Sequence, residues 1–332
     1  MKAVVMTAVG GPEVLEPREL PRPGLRGPRD LLIRLRAAGV NPVDTKLRAR
    51  GTYYPDRLPA ILGLDGAGVV EETGPEASLY RPGDAVAFCY GGLGDHPGTY
   101  AEYAVVDERF VAPKPEGLGF AEAAALPLVG ITAWESLHER AHLGSGQRVL
   151  VHAGAGGVGH VAVQLARLAG AQVAATVSTE DKAAFVRDLG AERAIRYREE
   201  DFVAAALDWS EGRGVDLLLD TVGGETFQRS QGAVRYGGDL VTLLQPPGGT
   251  DWKEARLRNL RVSLELMLTP ALRGWEAELE RQAGIVRQVL ELAAAGKLRV
   301  QVSHRLPLEQ AAEAHRLIEA GGMTGKVVLE MA

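Results

Sequence analysis

Val149-Leu150-Val151-His152-Ala153-Gly154-Ala155-Gly156-Gly157-Val158-Gly159 is an apolar run that ends in G-x-G-x-x-G and leads into the amphipathic segment His160 to Ala169. A strand that turns through glycines into a helix presents backbone N–H groups and a helix N-terminus to a pyrophosphate, so the stretch reads as a dinucleotide site. In a chain with 41 glycines the pattern alone is weak. Its context gives it force. Val158, Val161, Ala162, Leu165 and Ala169 recur at helical spacing, Gly170 can stop the helix, and Gln172 to Val177 reads as the next strand. Gly154, Gly156, Gly157, Val158 and Gly159 are therefore the candidate pyrophosphate-binding residues.

Outward from this turn the chain has two textures. The first hundred or so residues are broken by Gly and Pro around short β-like runs: Ala3 to Thr7, Asp30 to Ala37, Ala67 to Glu71, Asp84 to Phe88 and Tyr100 to Val106. Such spacing predicts a compact β-rich domain of the partly open barrel kind. From about Phe120, apolar runs alternate with helical patterns. Strands are expected at Arg148 to His152, Gln172 to Val177, Arg193 to Tyr197, Val215 to Asp220, Asp239 to Leu244 and Val262 to Leu268. Helices between them, including Glu180 to Leu189, Asp201 to Leu207 and Glu225 to Val234, make this a doubly wound parallel sheet of the α/β class. Beyond lie a charged helix from about Trp275 to Ala295, a run Val300 to Ser303, a helix Leu308 to Ala320 and a strand Lys326 to Leu329. These are too few for a third domain, so they are expected to return to the first.

The chain has 332 residues, of which 46% are hydrophobic and 24% charged, with a formal net charge of −6. That size suits two domains. The charge gives no footprint for nucleic acid or an anionic membrane. No apolar stretch reaches the roughly 20 residues of a membrane span, and Met1-Lys2-Ala3-Val4-Val5 is not a signal peptide, so a cytoplasmic location is expected. Cys89 is the only cysteine, which excludes an intrachain disulfide and any cysteine-rich zinc site. Within Asp84-Ala85-Val86-Ala87-Phe88-Cys89-Tyr90 it reads as a strand residue rather than a nucleophile.

An NAD-binding turn of this type carries an acidic residue about 20 positions on, where it holds the adenine ribose. Counting 19 on from Gly159 reaches Ser178, in Thr176-Val177-Ser178-Thr179-Glu180-Asp181-Lys182. The uncharged slot, with Lys182 one helical turn further, suits the 2′-phosphate of NADPH. A charge-assisted hydrogen bond contributes roughly 1.5–3 kcal/mol, or about ten- to a hundredfold in preference over NADH. The alternative is that Lys182 is a solvated lysine and that Glu180 or Asp181 holds the ribose.

The chain resembles the zinc-free quinone oxidoreductase branch, which includes zeta-crystallin, of the medium-chain dehydrogenase/reductase superfamily. The likeness spans the whole length. It is carried by Gly10-Gly11-Pro12-Glu13-Val14-Leu15, Gly39-Val40-Asn41-Pro42-Val43-Asp44-Thr45, Arg50-Gly51-Thr52-Tyr53, Gly98-Thr99-Tyr100-Ala101-Glu102-Tyr103, the glycine turn, Tyr197-Arg198-Glu199-Glu200-Asp201 and Thr324-Gly325-Lys326-Val327-Val328-Leu329. The resemblance implies a GroES-like catalytic domain from residues 1–121 and 284–332 and a Rossmann domain from residues 122–283. It places Ser178, Lys182 and Tyr197 at the 2′-phosphate end of NADPH, Asn41 and Thr132 near the nicotinamide, and Gln245 in the cofactor set. Many relatives have glycine at the position of Ser178.

Zinc-dependent alcohol dehydrogenases of the superfamily place a cysteine ligand where this chain has Asn41, and His-Glu where it has Leu64-Asp65. The resemblance therefore implies no catalytic metal. Among the histidines only His138 and His142 are spaced i,i+4, and they are expected on one exposed helix face. Without a Lewis acid the chemistry expected is hydride donation from NADPH to a quinone or an α,β-unsaturated carbonyl, each of which takes hydride at carbon and places charge on oxygen. Losing a donor to such an oxygen typically costs about 3 kcal/mol. Asn41 and Tyr53 are the candidate catalytic residues. A tyrosine at the position resembling Tyr53 is the proposed proton donor in related enoyl reductases, and the alternative is that Tyr53 only lines the acceptor site. Two other functions stay open: an enoyl thioester reductase, with Arg48, Arg50 and Arg57 as its basic patch, and an NADPH-binding protein without turnover. The apolar strand after Arg261 is expected at a sheet edge, where pairing across a two-fold axis would give a homodimer.

Overall fold

A computed structural model describes residues 1–331. The chain forms two compact units, Met1–Leu128 with Leu268–Ala332, and Val129–Met267. The sequence-expected boundaries at 121/122 and 283/284 differ from these. The long helix Glu276–Ala294 packs on the strands Ala85–Cys89 and Val111–Pro113, and its buried residues include Leu279, Ile285, Val286, Val289 and Leu290, so it belongs wholly to the first unit.

In the first unit, seven strands form one sheet in the order Val302–Pro307, Lys326–Glu330, Asp30–Val40, Asp65–Thr73, Ala85–Cys89 and Val111–Pro113, with Tyr103–Asp107 pairing with Asp30–Val40. A second sheet of three places Lys2–Met6 between Leu15–Glu19 and Ala60–Ile61. Asp30–Val40 is the hub. Leu31, Leu32, Ile33 and Leu35 are buried along it, and it pairs antiparallel with three strands, including the C-terminal Lys326–Glu330. The expected return of the chain's end to its beginning is thus a strand pairing, Val327 to Val40 through Glu330 to Ala37. Asp65–Thr73 can cross so closely because Gly68 has no side chain: a Cβ there would lie 2.2 Å from the Arg34 carbonyl oxygen.

The second unit is a six-stranded parallel sheet in the order Arg193–Arg196, Gln172–Val177, Arg148–Val151, Val215–Asp220, Val234–Thr242 and Arg261–Leu264. Central strands of such a sheet are covered on both faces, which is why they read as unbroken Val, Leu and Ala runs. Thr179 caps the helix Glu180–Asp188 by accepting from the Lys182 N–H, and Asp201 caps Phe202–Trp209 by accepting from the Ala204 N–H. Leu150, Ile195, Phe202, Leu218, Phe227 and Leu240 pack together on one side. The expected helix over 225–234 stops at Ser230, because Val234 already opens a strand; its register shifts between the pairs of Val215 and Leu217, near Gly237 with φ +66. Edge strand Arg261–Leu264 ends before the expected Leu268, and the chain turns Glu265 inward.

Glu265 is 4% exposed and lies against Glu135, also buried, on the π-helical turn Glu135–Arg140. Arg140 donates through Nε to Glu265 Oε2 at 2.8 Å. Burial and the neighbouring Glu135 push the Glu265 carboxyl from 4.5 to about 8, against the pull of Arg140. The folded protein therefore keeps a proton that the unfolded chain has lost between these two values, and stability falls as pH rises through that window. Urea unfolding of Glu265→Gln at pH 6, 7 and 8 should lack this fall, which for one proton is about 1.4 kcal/mol per pH unit. A slope equal to that of the parent protein would contradict the assignment of the retained proton to Glu265.

Candidate functional site

The glycine turn leaves the carboxyl end of Arg148–Val151, with Gln172–Val177 on one side and Val215–Asp220 on the other. Strand order reverses there, so the turn opens at the switch point of the sheet, where ligands of this architecture bind. Ala153 has φ +48, its N–H donates to Thr176 Oγ1 at 3.0 Å, and the Gly154 N–H donates to the Thr176 carbonyl at 2.9 Å. Gly156 then caps the helix Gly157–Leu168 and donates to the Ala153 carbonyl at 2.8 Å. The N–H groups of Gly157, Val158 and Gly159 have no carbonyl four residues back within the helix. A Cβ at Gly159 would lie 2.2 Å from the Ala153 oxygen, and one at Gly154 would lie 2.6 Å from Ala175 Cβ. Both glycines are thus required for the tight return. Gly156, whose Cβ would stand 3.1 Å from the same oxygen, is the one whose missing side chain leaves the approach open. These features fit a pyrophosphate.

Ser178, Tyr197 and Gln245 lie just past the carboxyl ends of Gln172–Val177, Arg193–Arg196 and Val234–Thr242, so the structure brings all three to the edge of the sheet that carries the turn. Ser178 is half-buried, while Tyr197 and Gln245 are exposed. Lys182 follows in the first turn of the next helix. Burial and the like charge of Arg198 hold the Lys182 ammonium below its ordinary range, which places Arg198 close to it. Sequence reading named Tyr197 and passed over its neighbour; only the turn after Arg196 brings Arg198 toward Lys182. Glu180, the alternative ribose partner, is already engaged by Arg187 at 2.8 Å and Arg196 at 3.4 Å. Thr132 is buried on the helix Pro127–Trp134, and its carbonyl accepts from Ser136 Oγ at 2.7 Å.

In the first unit, Asn41 caps the helix Pro42–Arg50, with Pro42 in the first position and Asp44 Oδ2 accepting from the Asn41 N–H at 2.8 Å. The side chain is fully buried. Its Nδ2 donates to Asp65 Oδ2 at 2.9 Å, and its Oδ1 accepts from Lys326 Nζ. Lys326 Nζ also stands 3.4 Å from Asp65 Oδ2, and Asp65 Oδ1 accepts from the Leu128 N–H at 2.8 Å. Burial raises the Asp65 carboxyl, opposed by Lys326 and Asn41, and pushes Asp44 to about 7. Tyr100 donates to Asp44 Oδ2 at 3.1 Å and meets His315 Nε2 at 3.1 Å, where burial lowers the imidazole to about 3. Burial and Asp65 hold the Cys89 thiol well above its ordinary value, so it stays protonated. Tyr53 is 50% exposed on the loop after Gly51, with its N–H donating to the Leu93 carbonyl at 3.2 Å.

The Asn41 amide oxygen and the Asp65 carboxylate already face the Lys326 ammonium, an arrangement that does not suit a second cation such as zinc. Among the described residues, no group of three or more His, Cys, Asp and Glu side chains is placed to hold a metal ion. His138 and His142 do not share an exposed face. His138 is half-buried against Trp134, with ring centroids 4.6 Å apart, whereas His142 leaves the helix at φ +47.

Residues 27–116 match the alcohol dehydrogenase GroES-like domain, and residues 189–329 match the family described as zinc-binding dehydrogenase. A quinone oxidoreductase of Pseudomonas aeruginosa is 34% identical over 328 residues, covering 99% of each chain. The chain belongs to the quinone oxidoreductase branch of the medium-chain dehydrogenase/reductase superfamily. A 2-haloacrylate reductase of a Burkholderia species is 33% identical over 98% of each chain. The solved structure of the Escherichia coli quinone oxidoreductase complexed with NADPH is similar at a TM-score of 0.87, with 29% identity, covering 99% of this chain and 100% of that one. As a member of this branch, the chain is an NAD(P)H-dependent oxidoreductase built from a GroES-like domain and a Rossmann-type sheet. No helix among the described residues is long and apolar enough to cross a membrane.

Proposed function

We propose that the protein is an NADPH-dependent, zinc-independent reductase that transfers hydride to a quinone or an α,β-unsaturated carbonyl. The observation that carries this reading is the buried Asn41, Asp65 and Lys326 cluster, which holds an amide between a carboxylate and an ammonium; the family resemblance likens positions 41, 64 and 65 to the metal ligands of zinc-dependent relatives. NADPH supplies the hydride when bound. The N–H groups of Gly157, Val158 and Gly159 hold its pyrophosphate, and Ser178, Lys182, Arg198 and Tyr197 surround its 2′-phosphate. Thr132 and Gln245 complete the cofactor contacts. The acceptor oxygen, which gains charge as hydride arrives, takes a hydrogen bond from Asn41, and Tyr53 contacts the acceptor. The names of two relatives, quinone oxidoreductase and 2-haloacrylate reductase, support acceptors in which a double bond is conjugated to an electron-withdrawing group.

The enoyl thioester reading gains no support from its basic patch. Arg48 is buried and paired with Glu319, and Arg57 lies over the Tyr54 ring at 5.2 Å while donating to the Asp95 carbonyl. Arg50 and Arg57 are exposed, and neither makes an ion pair among the described residues.

Incubation with NADPH and 1,4-benzoquinone, a 2-alkenal or crotonyl thioester, followed by nicotinamide absorbance, should show oxidation with the first two and little with the third. Oxidation with the thioester alone would replace the reading by enoyl thioester reduction, and tight NADPH binding without oxidation would replace it by a binding role. Lys182→Glu should weaken NADPH binding about ten- to a hundredfold in a fluorescence titration and leave NADH within about twofold. Unchanged NADPH affinity would return the adenosine end to Glu180 or Asp181. The edge strand Arg261–Leu264 pairs on one side only among the described residues, and Leu264 and Leu266 beside it are exposed. A homodimer joined there accounts for both, and light scattering should give about twice the 35.3 kDa chain mass. A monomer mass would contradict it.

A further inference from the structure

Lys326 opens the last strand of the first unit, and its backbone N–H donates to the Gln301 carbonyl at 2.8 Å. The turn before it has no freedom, because Gly325 has φ +73 and a Cβ there would lie 2.1 Å from the Gln301 oxygen. The origin of the lysine side chain is therefore fixed, and the side chain runs inward until it is only 3% exposed. An ammonium removed from water costs several kcal/mol unless partners of suitable geometry meet it, and a well-packed apolar residue often serves stability as well. Stability alone gives little reason for a lysine here.

What the ammonium does determine is the orientation of an amide. A primary amide is nearly symmetric in shape, and its neighbours decide which end is oxygen. Lys326 Nζ can only donate and the Asp65 carboxylate can only accept, and Asn41 lies between them. Oδ1 must then face Lys326, and Nδ2 must face Asp65, with one of its protons in the 2.9 Å bond. The second Nδ2 proton has no hydrogen-bond partner among the described residues, and the other two contacts fix its direction. A cation at the amide oxygen also draws electrons away from nitrogen, which strengthens that N–H as a donor.

We propose that Lys326 is a positioning residue: together with Asp65 it locks the Asn41 amide so that one N–H stands pre-oriented for the oxygen of the hydride acceptor. This rests on the reductase reading above. Lys326 does not touch the reacting atoms in this account; it acts through Asn41.

The test is a double-mutant cycle with 1,4-benzoquinone, using Lys326→Met, Asn41→Ala and the two together, with NADPH affinity measured alongside. Lys326→Met should lower kcat about tenfold or more while the NADPH Kd stays within about threefold, and in the Asn41→Ala background it should lower kcat less than about twofold. Equal losses in both backgrounds, or a kcat retained in Lys326→Met, would overturn the proposal. Should Lys326→Met fail to fold, Lys326→Met with Asp65→Asn removes both charges and enters the same cycle with the same two outcomes. A readout independent of turnover is the Asn41 side-chain amide in ¹⁵N NMR. The two Nδ2 protons should exchange slowly with solvent in the parent protein and exchange faster, with shifted resonances, in the lysine variant, whereas unchanged shifts and exchange would overturn the proposal. If none of the acceptors supports NADPH oxidation by the parent protein, the reductase reading fails by itself and the amide resonances still decide the role of Lys326.

Discussion

Lys326, Asp65 and Asn41 are withdrawn from water, and charges so placed persist only where opposite charge and hydrogen bonds replace the lost hydration. This condition ties together segments far apart in the chain. Asn41 follows the hub strand, Asp65 opens the strand beside it, and Lys326 comes from the final strand, 285 residues from its amide partner. The pairing of the last strand with Asp30–Val40 is what carries the ammonium to its place. Asp65 adds a further link by accepting from the Leu128 N–H at the start of the helix Pro127–Trp134. Asp44, Tyr100 and His315 extend the same buried polar chain toward the helix Ala311–Ala320. The first unit is thus organised around a polar centre that its apolar strands surround.

The second unit meets a different condition. Its sheet is parallel throughout, so every strand presents its carboxyl end to one edge, and the residues following those ends gather without long-range pairing of side chains. Gly154 to Gly159, Ser178, Tyr197 and Gln245 share that edge for this reason. The rule also explains how Arg198, on a surface turn, comes close enough to Lys182 to affect its charge.

The parts legible in the sequence were those set by local periodicity. Arg148–Val151, Gln172–Val177 and Val215–Asp220 appear nearly as read, because buried parallel strands are short apolar runs and the glycine turn marks where one of them ends. The C-terminal return was legible too, since two short β-like runs and two helices cannot form a core alone. Pairings over long separations were not. Nothing local to Thr324-Gly325-Lys326 indicates that its lysine faces Asn41. Nothing near Glu135 points to Glu265, 130 positions away, and the charged helix Glu276–Ala294 gave no sign of which unit its apolar stripe would cover. Arg48 reads as a surface arginine on a short helix, yet it is buried against Glu319 because helices Pro42–Arg50 and Ala311–Ala320 pack together.

The central claim is that this chain moves hydride from NADPH to carbon of a conjugated acceptor without a metal. It is tested most directly by preparing NADPH deuterated at nicotinamide C4, on each face in turn, and analysing the product formed from a 2-alkenal by mass spectrometry after treating the enzyme with a chelator. The account predicts one deuterium at the β-carbon from one face only, with the rate unchanged by the chelator. A product without deuterium, or turnover that requires added zinc, would contradict it.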